Sequence, residues 1–206
     1  RLHGGLMKIG ILGGTFDPVH RGHIALAETA KHHLGLDEVV LMPAARNPLK
    51  LSGTRVSDDD RLAMLELAIR GREGLGFSDL EITRGGRSYT VDTLEELRLV
   101  MPHDEFWFLL GSDALREIDE WKNPQRLAKL SRFAVVARPP LRSDQALRGV
   151  PRWVVPHCDV VPFEPLDISS SDLRERLERG RPLNGFLPEA VEAYILKRRL
   201  YRAPIE

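Results

Sequence analysis

The sequence predicts an α/β fold: a doubly wound, mostly parallel sheet forming one domain with a helical C-terminal end. Short apolar runs of the buried-strand kind alternate with longer amphipathic stretches, the pattern of successive β-α-β units. A glycine pair, Gly13 and Gly14, stands where the first apolar run gives way to the first amphipathic one. Open parallel sheets bind their ligands at that kind of position, beyond the carboxyl ends of the strands. The length of 206 residues, with 42% hydrophobic and 29% charged, suits a single domain with a proper core.

The elements follow in order. Residues 8–12 read as a buried strand, and the glycine turn follows. From about residue 19 to 34, Ile24, Leu26, Ala27, Ala30 and Leu34 recur at helical spacing, and Gly35 supplies the stop. Residues 38–42 read as a second strand, ended by Pro43. Ser57 reads as an N-cap, with Asp58, Asp59 and Asp60 in the first turn, where the helix dipole favours anions; the helix runs to Gly71. Next come a short strand around 77–82 and a Thr90-capped helix to about Met101. A strand over 105–110, a helix over 112–121 and a strand over 133–137 follow. Two more short strands are expected near 153–155 and 160–163. Ser170 or a neighbour opens a helix ending at Gly180, and Pro188, at a first helical position, opens the last one. Residues 1–6, ahead of Met7, are set aside as either a non-native expression remnant or an N-terminal extension, which leaves 7–206 as the domain.

Composition narrows the function. Thirty Lys and Arg balance thirty Asp and Glu, which argues against nucleic acid or an anionic membrane as the main partner. The single cysteine, Cys158, excludes an internal disulfide and a cysteine-based zinc cage, and fits a reducing cytoplasm. No apolar run approaches the roughly 18 residues of a membrane span.

The chemistry is concentrated in Gly13-Gly14-Thr15-Phe16-Asp17-Pro18-Val19-His20-Arg21-Gly22-His23. Adjacent glycines let backbone N–H groups face a phosphate, and the helix N-terminus adds positive potential. The stretch matches neither G-x-G-x-x-G nor the lysine-bearing P-loop. His20 and His23 are three apart, so they share one helix face with about 5–6 Å between Cβ atoms. Two imidazoles there can donate to phosphoryl oxygens as charge develops. Two partly exposed helical histidines would be the bland account. A zinc site would need a third ligand, and the sequence offers none nearby.

Gly13 to His23 resembles the signature of the nucleotidylyltransferase superfamily, with its (T/H)-x-G-H motif, and its GGTFDP form is similar to bacterial nicotinate-nucleotide adenylyltransferases. The resemblance implies a Rossmann-like sheet and transfer of the adenylyl group of ATP to nicotinate mononucleotide, giving deamido-NAD and pyrophosphate. In that account His20 and His23 are catalytic, and Gly13, Gly14, Thr15 and Phe16 belong to the ATP site. Ile168-Ser169-Ser170-Ser171-Asp172-Leu173-Arg174 resembles the family's ISS-x-x-(I/L)-R motif, so that Ser170, Ser171 and Arg174 hold the departing phosphates. A plain N-cap is the alternative there. Gly111 and Asp113, after the 105–110 strand, match the family's G-x-D and would meet the nucleotide.

For the mononucleotide, the resemblance points to Tyr89 and Thr90 in Ser88-Tyr89-Thr90-Val91-Asp92-Thr93-Leu94, and to Trp121 as a ring that stacks on pyridine. Lys50 carries over from a P-x-x-x-P-P-H-K pattern whose second Pro and His are replaced here, and Arg138 follows the 133–137 strand. Mg²⁺ would be bound mainly through the ATP phosphates. An apolar C-terminal surface could support a homo-oligomer. Two rival readings stand beside this one: an adenylyltransferase for nicotinamide mononucleotide, flavin mononucleotide or phosphopantetheine, and a nucleotide-binding regulator that does not turn over.

Overall fold

A computed structural model describes residues 6–45, 53–137 and 143–202. Lys50 and Arg138 lie outside the described residues.

Strand β1 (Lys8–Gly14) leads through helix α1 (Arg21–Leu34) to β2 (Glu38–Pro43), and α2 (Asp58–Ile69) leads to β3 (Leu75–Phe77). Helices α3 (Leu80–Arg84) and α4 (Thr90–Val100) carry the chain back across to β4 (Glu105–Gly111). Helices α5 (Ser112–Arg116) and α6 (Pro124–Leu130) precede β5 (Arg132–Ala137). A single turn, α7 (Ser143–Ala146), precedes β6 (Cys158–Pro162), and α8 (Ser170–Glu178) and α9 (Glu189–Arg198) close the described chain. The strand order is β3-β2-β1-β4-β5-β6, and every neighbouring pair is parallel. All carboxyl ends therefore lie along one edge, and the winding reverses between β1 and β4. This is the expected doubly wound, Rossmann-like single domain.

Alternating side chains send each strand's residues into two cores, one per face. Leu12, Trp107, Leu109 and Ala134 join one face with α1, α2, α8 and α9. Ile9, Ile11, Phe106, Leu110, Phe133 and Val135 join the other with α4, α5 and α6. Gly10 is required on the first face, because a Cβ there would sit 2.8 Å from Leu36 and 3.0 Å from Val39. Ser57 caps α2 as expected, accepting from the Asp60 N–H at 3.1 Å.

Four local readings are corrected. The strand expected over 77–82 ends at Phe77, and Leu80–Arg84 is a helix: Glu81 turns inward to Thr93 instead of alternating along a strand. The helix expected over 112–121 stops at Arg116 and gives way to a tight turn over Ile118–Glu120. Residues 153–155 form no strand; they lead into a 3₁₀ turn at Val155–His157 with Pro156 inside it. The short α6 was missed, though Pro124 at its first turn marks it. At two helix starts the cap differs by one residue. Tyr89, not Thr90, precedes α4 with extended backbone, and Pro188 precedes α9. Among the described residues, no helix is long and apolar enough to cross a membrane.

Candidate active site

The turn after β1 lies at the carboxyl edge, where the winding reverses. It is held from behind by groups that take its carbonyls. Arg61, fully buried in α2, donates to the Thr15 carbonyl at 2.8 Å. Arg174 donates to the Asp17 carbonyl at 2.6 Å, and the Ser170 hydroxyl donates to the Pro18 carbonyl at 2.9 Å. Helix α1 is anchored at its first residue, where the Arg21 N–H and Nε donate to the Phe186 and Leu187 carbonyls at 2.9 and 3.1 Å. The N-termini of α1 and α8 thus meet at one loop. The first-turn N–H groups of Gly22 in α1 and of Ser170 and Ser171 in α8 lie outside their helices' own hydrogen bonds, which suits anionic oxygens.

His20 is the residue that precedes α1, and His23 lies one turn on. Their rings stack at 3.7 Å between centroids with 25° between planes. Gly22 makes room for this: a Cβ there would come within 3.0 Å of the His20 ring. The His20 N–H donates to His23 Nδ1 at 3.2 Å, which assigns the neutral His23 tautomer with its proton on Nε2. His20 is buried, and burial lowers its pKa from 6.5 to about 4, so it is neutral at pH 7. Among the described residues its Nδ1 has no hydrogen-bond partner. Phe16, with φ of 48°, buries its ring beneath Gly14 and edge-on to His23 at 4.9 Å.

A cleft of about 250 Å³ opens beside this loop. Gly13, Gly14, Ser88, Tyr89, Thr90, Phe108, Trp121 and Lys122 are among its walls. Trp121 stands edge-to-face with Phe108 at 6.0 Å, which fixes one flat apolar wall. Another wall is the start of α4. Asp92 and Thr93 donate to the Tyr89 carbonyl at 3.1 and 3.2 Å, so the N–H groups of Thr90 and Val91 are first-turn donors that the helix does not satisfy. Lys122 bridges both Asp92 oxygens at 2.8 Å and covers the Tyr89 ring at 4.9 Å. Underneath, the buried Glu81 carboxylate accepts from the Thr93 hydroxyl at 2.7 Å, and burial raises its pKa despite that bond. Gly85 and Gly86, both at φ of 70°, make the turn that brings α4 back over Glu81.

These observations can be set against known proteins. Residues 11–176 match the family model described as cytidylyltransferase-like. A relative from Bordetella pertussis (strain Tohama I), named a probable nicotinate-nucleotide adenylyltransferase, is 43% identical over 201 residues, spanning 96% of this chain and 100% of its own length. One from Desulfitobacterium hafniense (strain Y51), with the same name, is 41% identical over 198 residues, spanning 95% and 96%. The chain belongs to the nicotinate-nucleotide adenylyltransferase family. The fold agrees with a solved structure of Plasmodium falciparum nicotinic acid mononucleotide adenylyltransferase complexed with NaAD. The TM-score is 0.74 at 22% identity, with 95% of this chain and 97% of that one covered.

The family's motif residues fall into three groups here. Gly13, Gly14, Tyr89, Thr90 and Trp121 line the cleft together. Thr15, His20, His23, Ser170, Ser171 and Arg174 gather where α1 and α8 meet; Arg174 there also donates to the Ser171 hydroxyl at 3.0 Å. Gly111 and Asp113 stand at the β4 edge, with the Asp113 side chain exposed and paired with Arg116. Ser169, not Ser170, is the cap of α8, accepting from the Asp172 N–H at 3.1 Å, which leaves the Ser170 hydroxyl for the loop.

Sequence reasoning missed Arg61, Asp17 and the seat of Glu81. Arg61 had a readable signal, since it lies four residues before the buried Leu65, in phase with the apolar face of α2. Asp17 had none, because its partners come from distant parts of the chain. Among the described residues no group of three or more His, Cys, Asp and Glu is placed to hold a metal ion.

Proposed function

We propose that the chain transfers the adenylyl group of ATP to nicotinate mononucleotide, releasing pyrophosphate and forming deamido-NAD. The observation that carries this reading is that one loop, the turn after β1, forms a wall of the ring-sized cleft and also joins the two converging helix N-termini. A ligand with a flat ring at one end and a phosphate at the other fits that arrangement, with its phosphate at the histidines. The Trp121 face suits the pyridine ring. The Thr90 and Val91 N–H groups suit a carboxylate, since two donors cannot pair with the NH₂ of a carboxamide.

The nucleophile is a phosphate oxygen of the mononucleotide, already ionised at neutral pH. It attacks the α-phosphorus of ATP in line as the bond to the bridging β-oxygen breaks and pyrophosphate leaves. The chain's part is positioning and charge stabilisation. Neutral His23, with its proton on Nε2, and neutral His20 donate to the α-phosphoryl oxygens. The turn at Gly13, Gly14 and Thr15, with the Phe16 backbone, cradles that group. Ser170, Ser171 and Arg174 hold the leaving phosphates, and Gly111 and Asp113 meet the adenosine side. Lys50 and Arg138 belong to the mononucleotide side in this reading. The site's donors are N–H groups, hydroxyls and neutral imidazoles, which suit anionic oxygens. Mg²⁺ would be held mainly by the ATP phosphates and would supply neutralisation of their charge. A lone cysteine, Cys158, fits a reducing compartment, which supports a cytoplasmic reaction.

The test is product identification. With ATP, Mg²⁺ and nicotinate mononucleotide, mass spectrometry should find deamido-NAD and pyrophosphate in equal amounts. His23→Ala should lower kcat by about 100-fold or more while circular dichroism stays unchanged. Near-normal turnover in that variant would remove His23 from the reaction.

A further inference from the structure

The Asp17 carboxylate lies at the bend of the β1 turn, only 3% exposed. Its two oxygens are taken from different parts of the chain. Oδ1 accepts from the Tyr201 hydroxyl at 2.7 Å, and Oδ2 accepts from the Arg55 N–H at 2.8 Å. Tyr201 is 184 residues further along, in the segment after α9, and is itself buried. Burial first, and then the Asp17 charge, push its phenol far above the ordinary value, so it is a proton donor at any working pH. The neighbouring Phe16 holds a left-handed backbone, and its buried ring supports His23 edge-on. The floor beneath the imidazole therefore continues directly into a residue held by the C-terminal segment.

We propose that Tyr201 is a positioning residue of the transfer site: by pinning Asp17, the C-terminal segment sets the Phe16 ring and thereby the place of His23. The proposal rests on the reaction assigned above. The Tyr201 hydroxyl is not needed to dock the last helix, because α9 has its own polar anchor. The Tyr194 hydroxyl and Arg198 both reach Asp60 Oδ1, at 2.8 and 3.0 Å. That second tyrosine–carboxylate pair ends on Asp60 in α2, not on a residue of the turn after β1, and provides a matched control.

Tyr201→Phe removes one oxygen and keeps the ring. Assayed well below the melting temperature of the least stable variant, it should lower kcat about tenfold with KM for ATP within about twofold. Tyr194→Phe should lower the melting temperature comparably and leave kcat unchanged. If Tyr201 acts through Asp17, the double variant Asp17→Asn/Tyr201→Phe should match Asp17→Asn alone within about twofold. A readout without substrate separates the positioning role from the reaction. The His20 and His23 imidazole ¹H–¹⁵N resonances should shift in Tyr201→Phe and stay in place in Tyr194→Phe. Wild-type kcat in a destabilised Tyr201→Phe, multiplying losses in the double variant, or unmoved imidazole signals would each overturn the proposal. If the wild type shows no turnover with nicotinate mononucleotide, the reaction fails, and the imidazole spectra still decide the positioning role.

Discussion

Lowering the pH from 7.5 to 5.0 should expose the cost of seating His20 in the floor of the turn. Its folded pKa of about 4 lies below the ordinary value of 6.5 because burial disfavours the charged ring. Between those values the unfolded chain binds the proton and the folded chain does not, so stability falls as pH falls through that window. The loss is absent above about pH 6.5 and complete below about pH 4. For these two pKa values the linkage relation gives a loss of about 2 kcal/mol at pH 5.0 relative to pH 7.5. Glu81, raised by burial, works in the opposite direction, and the lowered Asp60 and Asp159 work in the same direction as His20 but at lower pH, below the ordinary carboxylate range. The assay is therefore a difference: urea unfolding at both pH values for the wild type and for His20→Asn, which cannot take up a proton. The wild type should lose about 2 kcal/mol more than the variant over that interval. Equal losses would mean that His20 titrates as an exposed imidazole, and the buried, stacked geometry would be wrong.

Three further outcomes follow from the packing. Trp121→Ala should raise KM for nicotinate mononucleotide about tenfold or more, with KM for ATP little changed, since it removes an aromatic face worth about 0.5–1.5 kcal/mol beyond its buried area; parallel titration of the two substrates checks this. Arg61→Leu leaves the Thr15 carbonyl without its donor and should cost about 1–3 kcal/mol in urea unfolding. Gly10→Ala places a methyl against Leu36, Val39 and Leu109 and should cost about 1–3 kcal/mol by the same measurement.

What could be read from the sequence was what neighbouring residues decide. Gly13 and Gly14 after an apolar run, the His-x-Gly-His spacing and the Ser57 cap each carry their reason within a few residues, and the structure places them as expected. The errors arose where distant contacts override local preference. The stretch from Phe77 to Ile82 has the alternation of a strand, yet Glu81 is drawn inward by Thr93 twelve residues on, and a helix results. Trp153 and its β-branched neighbours suit a strand, but the indole donates to Asp119 and Pro156 closes a tight turn instead. The site divides in the same way. Its glycine turn and His-x-Gly-His run were legible, whereas the clamp on Asp17 joins residues 157 and 184 positions apart, and no local pattern encodes such pairs.

The acceptor is tested most directly by pyrophosphate release from ATP and Mg²⁺ with nicotinate mononucleotide and nicotinamide mononucleotide run side by side. The kcat/KM should favour the acid by roughly a hundredfold, about 2.7 kcal/mol, because the Thr90 and Val91 donors match a carboxylate and leave a carboxamide NH₂ unpaired. Equal rates with both would contradict that basis for discrimination, and no pyrophosphate from either would contradict the reaction itself.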